Sequence, residues 1–333
     1  MPDPSSVVLP PPAPLRPEME RFRDDIAAAY HRHPPLARLS LPQARAVAEQ
    51  VRAPWAAGGP VMLRSHTLTV PLAGRPLRLR LHQPARDPDG LLAYVHGGGW
   101  QLFSVDTHDR VMREYAARSG LAVVGIDYSL SPEARFPRAV EEVTALLRWL
   151  RTPDAAGALE LDTSSRKLAV GGDSAGGNLS LAATLALRDD EPAAMPDAVV
   201  MNYPVVDPDT SRPSYRRYGG PEFNLTEAEM RGFWNGYAPE PAQRHHPRAS
   251  LLRGSLRGLP PVLIALAECD VLHDEGAALA EALALAGVPV RALTYRGMPH
   301  SFLEAMSISP DSARAFDDAA AWLRDVLRLP VAA

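Results

Sequence analysis

Hydrophobic and polar positions change their period along this chain, and the changes mark out its elements. From Glu18 to about Trp55 the apolar residues recur at helical spacing in two stretches, Glu18 to Tyr30 and Leu41 to Val51, parted by His33, Pro34 and Pro35, which cannot continue a helix. Strict alternation then takes over in Val61 to Leu72 and Pro76 to His82, with Gly74 between them, and predicts an antiparallel hairpin. Beyond it, short apolar runs trade places with helical segments. Leu91 to Val95 precedes a helix around Arg110 to Ser119, Leu121 to Ile126 precedes Ala139 to Leu150, and Leu168 to Gly171 precedes Ala175 to Arg188. After Ala198 to Tyr203 the pattern breaks between Val205 and Gly258, and it resumes with Pro260 to Ala267, a helix Glu275 to Ala286, Val290 to Tyr295 and a last helix Ser312 to Leu327.

Strand, helix, strand in repetition implies a mostly parallel sheet with helices on both faces, here of eight strands, interrupted by one insertion. Residues 1–17 read as a Pro-rich arm with little apolar periodicity, expected to be loosely held.

Composition narrows the partners. Hydrophobic residues at 46% and charged ones at 22% are those of a folding globular chain, and 333 residues suit one large α/β domain carrying an insertion. A net charge of -4 without a basic block gives no footprint for nucleic acid or an anionic membrane. No apolar run approaches the roughly 18 residues of a membrane span, and the first twenty residues lack the basic start and apolar run of a secretory signal. The single cysteine, Cys269, excludes an intramolecular disulfide and reads as a small buried residue, so the cytoplasm is the expected location.

Two glycine-bearing segments carry chemistry. Gly172-Asp173-Ser174-Ala175-Gly176 lies between a strand run and a helix, where a serine on a sharp turn needs small neighbours and stands exposed at the positive end of the helix. The Lys-Ser/Thr that ends a phosphate loop is missing, so a nucleotide site is not expected. His96-Gly97-Gly98-Gly99-Trp100 follows the strand at Leu91 to Val95, and its uncovered amides are what an oxyanion requires: Gly98, Gly99 and, next to the nucleophile, Ala175 are the candidate donors. His96, Gly97 and Asp173 are supports for this loop.

Serine needs a general base and the base an orienting carboxylate. With the chain order Ser, acid, His, His245, His246, His273 and His300 are eligible, and only His300, in the turn Gly297 to His300, follows the last expected strand. His245 and His246 fall in the insertion. For the acid, Asp270 sits at the carboxyl end of the run Pro260 to Ala267 and is preferred over Asp274, which opens a helix and is more simply a cap. No cluster has metal-ligand spacing and no cofactor is called for.

Together these segments resemble the bacterial hormone-sensitive-lipase-like esterases, including the acetyl esterases, of the α/β-hydrolase superfamily. The resemblance rests on His96 to Gly99, Asp127-Tyr128-Ser129-Leu130-Ser131-Pro132-Glu133, Gly172 to Asn178, Asp270 to Gly276 and Gly297 to Phe302, in the family's order. Ser129, Ser131 and Trp100 depart from its usual Arg, Ala and Phe. The resemblance implies oxyanion glycines at Gly98 and Gly99, a nucleophile at Ser174 and its partners at Asp270 and His300. It also implies a cap from residues 1–55 and 205–257 over a core of residues 56–204 and 258–333, and it is compatible with a homodimer. The expected activity is hydrolysis of small, short-chain acyl esters. The same triad also serves amides, lactones and carbamates, and the scaffold alone would serve a binding protein.

Overall fold

The computed structural model describes residues 11–163 and 166–329. Eight strands form one sheet in the order β1-β2-β4-β3-β5-β6-β7-β8. β1 (Arg64–Leu72) and β2 (Arg75–Gln83) make the predicted hairpin, paired from Arg64↔Gln83 to Leu72↔Arg75. β2 also pairs antiparallel with β4 (Ala122–Ile126), and every later pairing, through β3 (Leu91–Val95), β5 (Leu168–Asp173), β6 (Ala198–Asn202), β7 (Val262–Cys269) and β8 (Val290–Pro299), is parallel. The interior strands β3 to β6 are buried at every position, as a parallel sheet covered on both faces demands, whereas β1 alternates.

Helices α3 (Asp109–Ser119), α4 (Arg138–Trp149), α6 (Ala175–Asp190), α10 (His273–Leu285) and α11 (Pro310–Leu327) connect and cover these strands. Helix α6 is buried from Ala175 to Leu187, because its Ala-rich and Gly-rich surface lets it lie close against the sheet. The first helices, α1 (Pro17–Tyr30) and α2 (Leu41–Ala56), and the short helices after β6, α7 (Pro213–Tyr218), α8 (Glu227–Tyr237) and α9 (Pro241–Arg244), stand apart from that pattern. No described helix is long and apolar enough to cross a membrane.

Three differences from expectation have physical causes. Val61, expected in the first strand, is 95% exposed: the hairpin register ends at Arg64, and the preceding residues find no partner. Helix α5 (Pro153–Leu159) was not expected; it is only seven residues long, too short for a period to register, and Thr152 caps it. Strand β8 runs four residues beyond Tyr295 because Cys269 pairs with Pro299 after an irregularity in β7.

The arm expected to be loose divides at residue 10. Residues 1–10 lie outside the described residues, while Ala13 to Arg16 are held. Leu15 is buried, the Arg16 amide donates to the Gly297 carbonyl at 3.0 Å, and the Cys269 thiol points at the Ala13 carbonyl. Burial pushes that thiol up to about 12, which fits the packing role expected of Cys269.

Candidate active site

Ser174 joins β5 to α6 with φ 54° and ψ -119°, a conformation that L-residues avoid and that a strand-to-helix elbow imposes. Its neighbours are glycines for a steric reason. A Cβ on Gly172 or on Gly176 would run into the Val95 carbonyl of the adjacent strand. The turn is fixed by Ser174 N–H donating to the Asn202 carbonyl at 2.8 Å and by the Ser174 carbonyl accepting from Val205 N–H at 3.1 Å.

His300, one residue beyond the end of β8, places Nε2 3.0 Å from Ser174 Oγ and Nδ1 2.7 Å from Asp270 Oδ2. Asp270 follows β7 directly, is 1% exposed, and its Oδ1 accepts from Leu272 N–H at 3.0 Å, so both carboxylate oxygens are spoken for. The carboxyl ends of β5, β7 and β8 therefore deliver the three side chains to one point. Asp274 does not join them. It does not cap α10 either: its Oδ2 accepts the Ser214 amide at 2.8 Å, tying α7 to α10. His273 faces Asp274, and His245 and His246 are exposed.

The glycine loop lies against Ser174. Gly98 and Gly99 adopt φ 108° and 60°, and Gly99 packs so closely under Phe233 of α8 that a Cβ there would enter the ring. Among the described residues the amides of Gly98, Gly99 and Ala175 have no acceptor, which leaves three N–H groups beside the serine.

Asp173 turns out to be the hub beneath this loop. Its Oδ1 accepts from Gly97 N–H at 3.1 Å and from the Tyr94 hydroxyl at 2.9 Å, and His108 Nε2 lies 3.3 Å from Oδ2. Burial would raise the carboxyl, but the facing His108 imidazole outweighs it and holds Asp173 below its ordinary value; burial likewise opposes charge on His108, and Asp173 raises it. The two therefore favour each other's charged forms, and their contact fixes the backbone on which Gly98 and Gly99 ride.

Tyr94 and His108 were not picked out from sequence. Tyr94 left a signal, one polar aromatic in an otherwise apolar strand run, whose buried hydroxyl must find a partner. His108 left none, because its partner lies 65 positions away.

His96, the other support, stacks on Tyr128 at 4.4 Å and bonds the Gly97 carbonyl through Nδ1 at 2.7 Å. Burial, aided by His108, lowers it to about 4. Such a histidine is protonated in the unfolded chain near 6.5 but in the folded one only near 4, so between these values the unfolded state binds more protons. Its contribution to stability is present above pH 6.5 and is lost as pH falls toward 4. The thermal midpoint of His96→Asn is expected to fall less steeply than that of the parent over this interval; parallel slopes would count against a buried neutral His96.

A cavity of about 700 Å³ opens onto Ser174, His300, Gly98 and Gly99, and its remaining walls come from α1, α2, α8 and the segments beside them. Of the aromatics in the first helices and in the segment after β6, Tyr30 lines it. Phe22, Phe223, Trp234 and Tyr237 are packed in the interior, and Phe233 takes a place on the wall instead. Trp100 stacks on Tyr237 at 4.1 Å and fastens α8 to the glycine loop. Ser129 and Ser131 likewise act in support: the Ser129 hydroxyl donates to Glu142 at 2.7 Å and that of Ser131 to the Trp100 carbonyl at 3.2 Å.

Residues 92–304 match a family model described as the alpha/beta hydrolase fold. The chain is 39% identical over 240 residues to an ethyl acetate hydrolase of Pseudomonas putida, a match covering 71% of this chain and 74% of that protein. Among solved structures, an esterase of Pyrobaculum calidifontis superposes with a TM-score of 0.84 at 33% identity, over 94% of this chain and 99% of its own. A fungal esterase of Rhizomucor miehei does so with 0.85 at 31% identity, over 95% and 98%.

Proposed function

Since the chain belongs to the α/β-hydrolase family, among its hormone-sensitive-lipase-like esterases, we infer that it is a carboxylesterase whose nucleophile is Ser174. The observation that supports this reading most is the pair of contacts at His300, 3.0 Å to Ser174 Oγ and 2.7 Å to Asp270 Oδ2.

In this reading His300 Nε2 takes the hydroxyl proton as Oγ attacks the ester carbonyl carbon, and Asp270 holds the Nδ1–H tautomer and stabilises the imidazolium. The carbonyl oxygen becomes an oxyanion, which accepts from the amides of Gly98, Gly99 and Ala175 in a site already shaped for it. Collapse expels the alcohol, protonated by His300, and leaves an acyl-serine. Water, deprotonated by the same histidine, then attacks that acyl carbon, and the acid departs with Oγ regaining its proton. His96, Gly97 and Asp173 act through the loop and not on the substrate.

The substrates are small esters. Residues 1–55 and 205–257 serve as the cap that shapes the cavity above a core of residues 56–204 and 258–333; α1, α2 and α8 all contribute walls. We place short acyl chains among the substrates, by likeness to the ethyl acetate hydrolase. A cytoplasmic site of action belongs to the same reading, because the lone Cys269 gives the fold no disulfide to form.

A fluorophosphonate probe tests the reading directly. It is expected to label the protein once, on Ser174, and to abolish hydrolysis of p-nitrophenyl acetate in step with labelling. Full labelling on another residue, or full labelling with activity intact, would overturn the assignment.

A further inference from the structure

One wall of the cavity is polar, and the mechanism does not use it. Arg52 of α2 and Glu304, four residues beyond His300 in the helical turn Phe302–Ser307, both line the cavity and pair there at 2.9 Å, with side chains only 11% and 6% exposed. Tyr30, also on the wall, lies beside the same guanidinium, whose charge opposes the rise that burial imposes on the Tyr30 hydroxyl. The guanidinium lies 5.2 Å from the centre of the Phe103 ring and 5.9 Å from that of Phe22. Nη1 is the nitrogen that bonds Glu304, and no hydrogen bond among the described residues engages Nη2 of this partly exposed side chain on the cavity wall.

A buried ion pair with an unused donor discriminates among the chains laid against it. A plain alkyl chain strips water from the pair and returns no hydrogen bond, and leaving such groups unsatisfied costs more than a neutral contact gains. A chain of the same length with an oxygen at that position returns an acceptor. A net charge would not do as well, because Arg52 and Glu304 already neutralise each other and either sign of charge meets one partner of its own kind.

Resting on the esterase reading, we propose that Tyr30, Arg52 and Glu304 are specificity-determining residues. They favour esters that carry a neutral hydrogen-bond acceptor, such as an ether, hydroxyl or keto oxygen, over alkyl esters of equal length. The neighbouring wall, with Ile26, Leu225, Met230 and Phe233, takes the apolar remainder.

Isosteric ester pairs test this on both arms of the substrate. On the acyl side, kcat/KM is measured for p-nitrophenyl hexanoate against p-nitrophenyl 4-methoxybutanoate and 3-ethoxypropanoate; on the alcohol side, for hexyl acetate against 3-ethoxypropyl acetate. Each value is divided by the rate of uncatalysed alkaline hydrolysis. On at least one arm the ether is expected to win by about ten-fold, the worth of one hydrogen bond to a charged group. In the double variant Arg52→Met/Glu304→Met, which removes both charges together, the ratio should fall to about one.

Ratios of one or below on both arms of the parent overturn the proposal, whether or not the double variant folds. A preference that persists undiminished in the folded double variant also overturns it. Failure of the parent to hydrolyse even p-nitrophenyl acetate would instead strike the esterase reading, and this inference with it.

Discussion

Ser174→Ala is expected to lower kcat for p-nitrophenyl acetate by about 10⁶-fold, the loss seen when a serine hydrolase forfeits its nucleophile. The exchange removes one oxygen and little else. Ser174 Oγ has a single partner, His300 Nε2, and alanine carries the same Cβ through the same φ of 54°. The far-ultraviolet circular dichroism spectrum and the thermal midpoint should therefore match the parent, so that the loss is read as chemistry. A variant that retained turnover within about ten-fold of the parent would mean that another group attacks, since no single supporting contact approaches the nucleophile in worth.

Asp270→Asn is expected to cost about 10⁴-fold in kcat, because an amide in place of the carboxylate no longer fixes the imidazole tautomer or balances the imidazolium. The companion exchange separates the two candidate acids. Asp274 accepts the Ser214 amide, so Asp274→Asn should loosen the tie between α7 and α10 and leave kcat within a few-fold of the parent, a change in stability of about 1 kcal/mol. Steady-state kinetics on both variants with the same ester decides it: sensitivity in the reverse order would transfer the acid's role to Asp274.

The fold was legible wherever burial writes itself into a period. The alternation from residue 61 announced the hairpin, and the unbroken apolar runs announced strands covered on both faces. What escaped was set by partners distant in sequence. The extension of β8 to Pro299 depends on Cys269, thirty residues earlier, and the tether of Ala13 to Arg16 depends on residues near the other end of the chain.

The candidate site divides in the same way. Ser174 and the glycines beside it are legible because a sharp turn restricts residue type locally, and Asp270 and His300 because each follows a strand whose position could be counted. The hub at Asp173 was legible only as far as Asp173 itself: His108 joins it through space from the residue just before α3, on another connection. The acceptor-seeking wall at Arg52 and Glu304 is formed by residues 252 positions apart, and neither stands in a motif.

Asn178, one turn into α6, donates from one amide group to the carbonyls of Val205 at 3.1 Å and Ala249 at 3.0 Å. The segment that leaves the sheet after β6 and returns before β7 is thus pinned at both of its roots by one residue of the helix that begins at Ser174. Glu275 adds a second pin, accepting the Val206 amide at 2.7 Å. Between those roots, apart from Asn224, Phe233 and Tyr237, which touch His300 and the glycine loop, length and sequence can drift without the change reaching the serine, so a lineage can exchange what it recognises while inheriting how it reacts. The arrangement makes the elbow heritable and the roof replaceable.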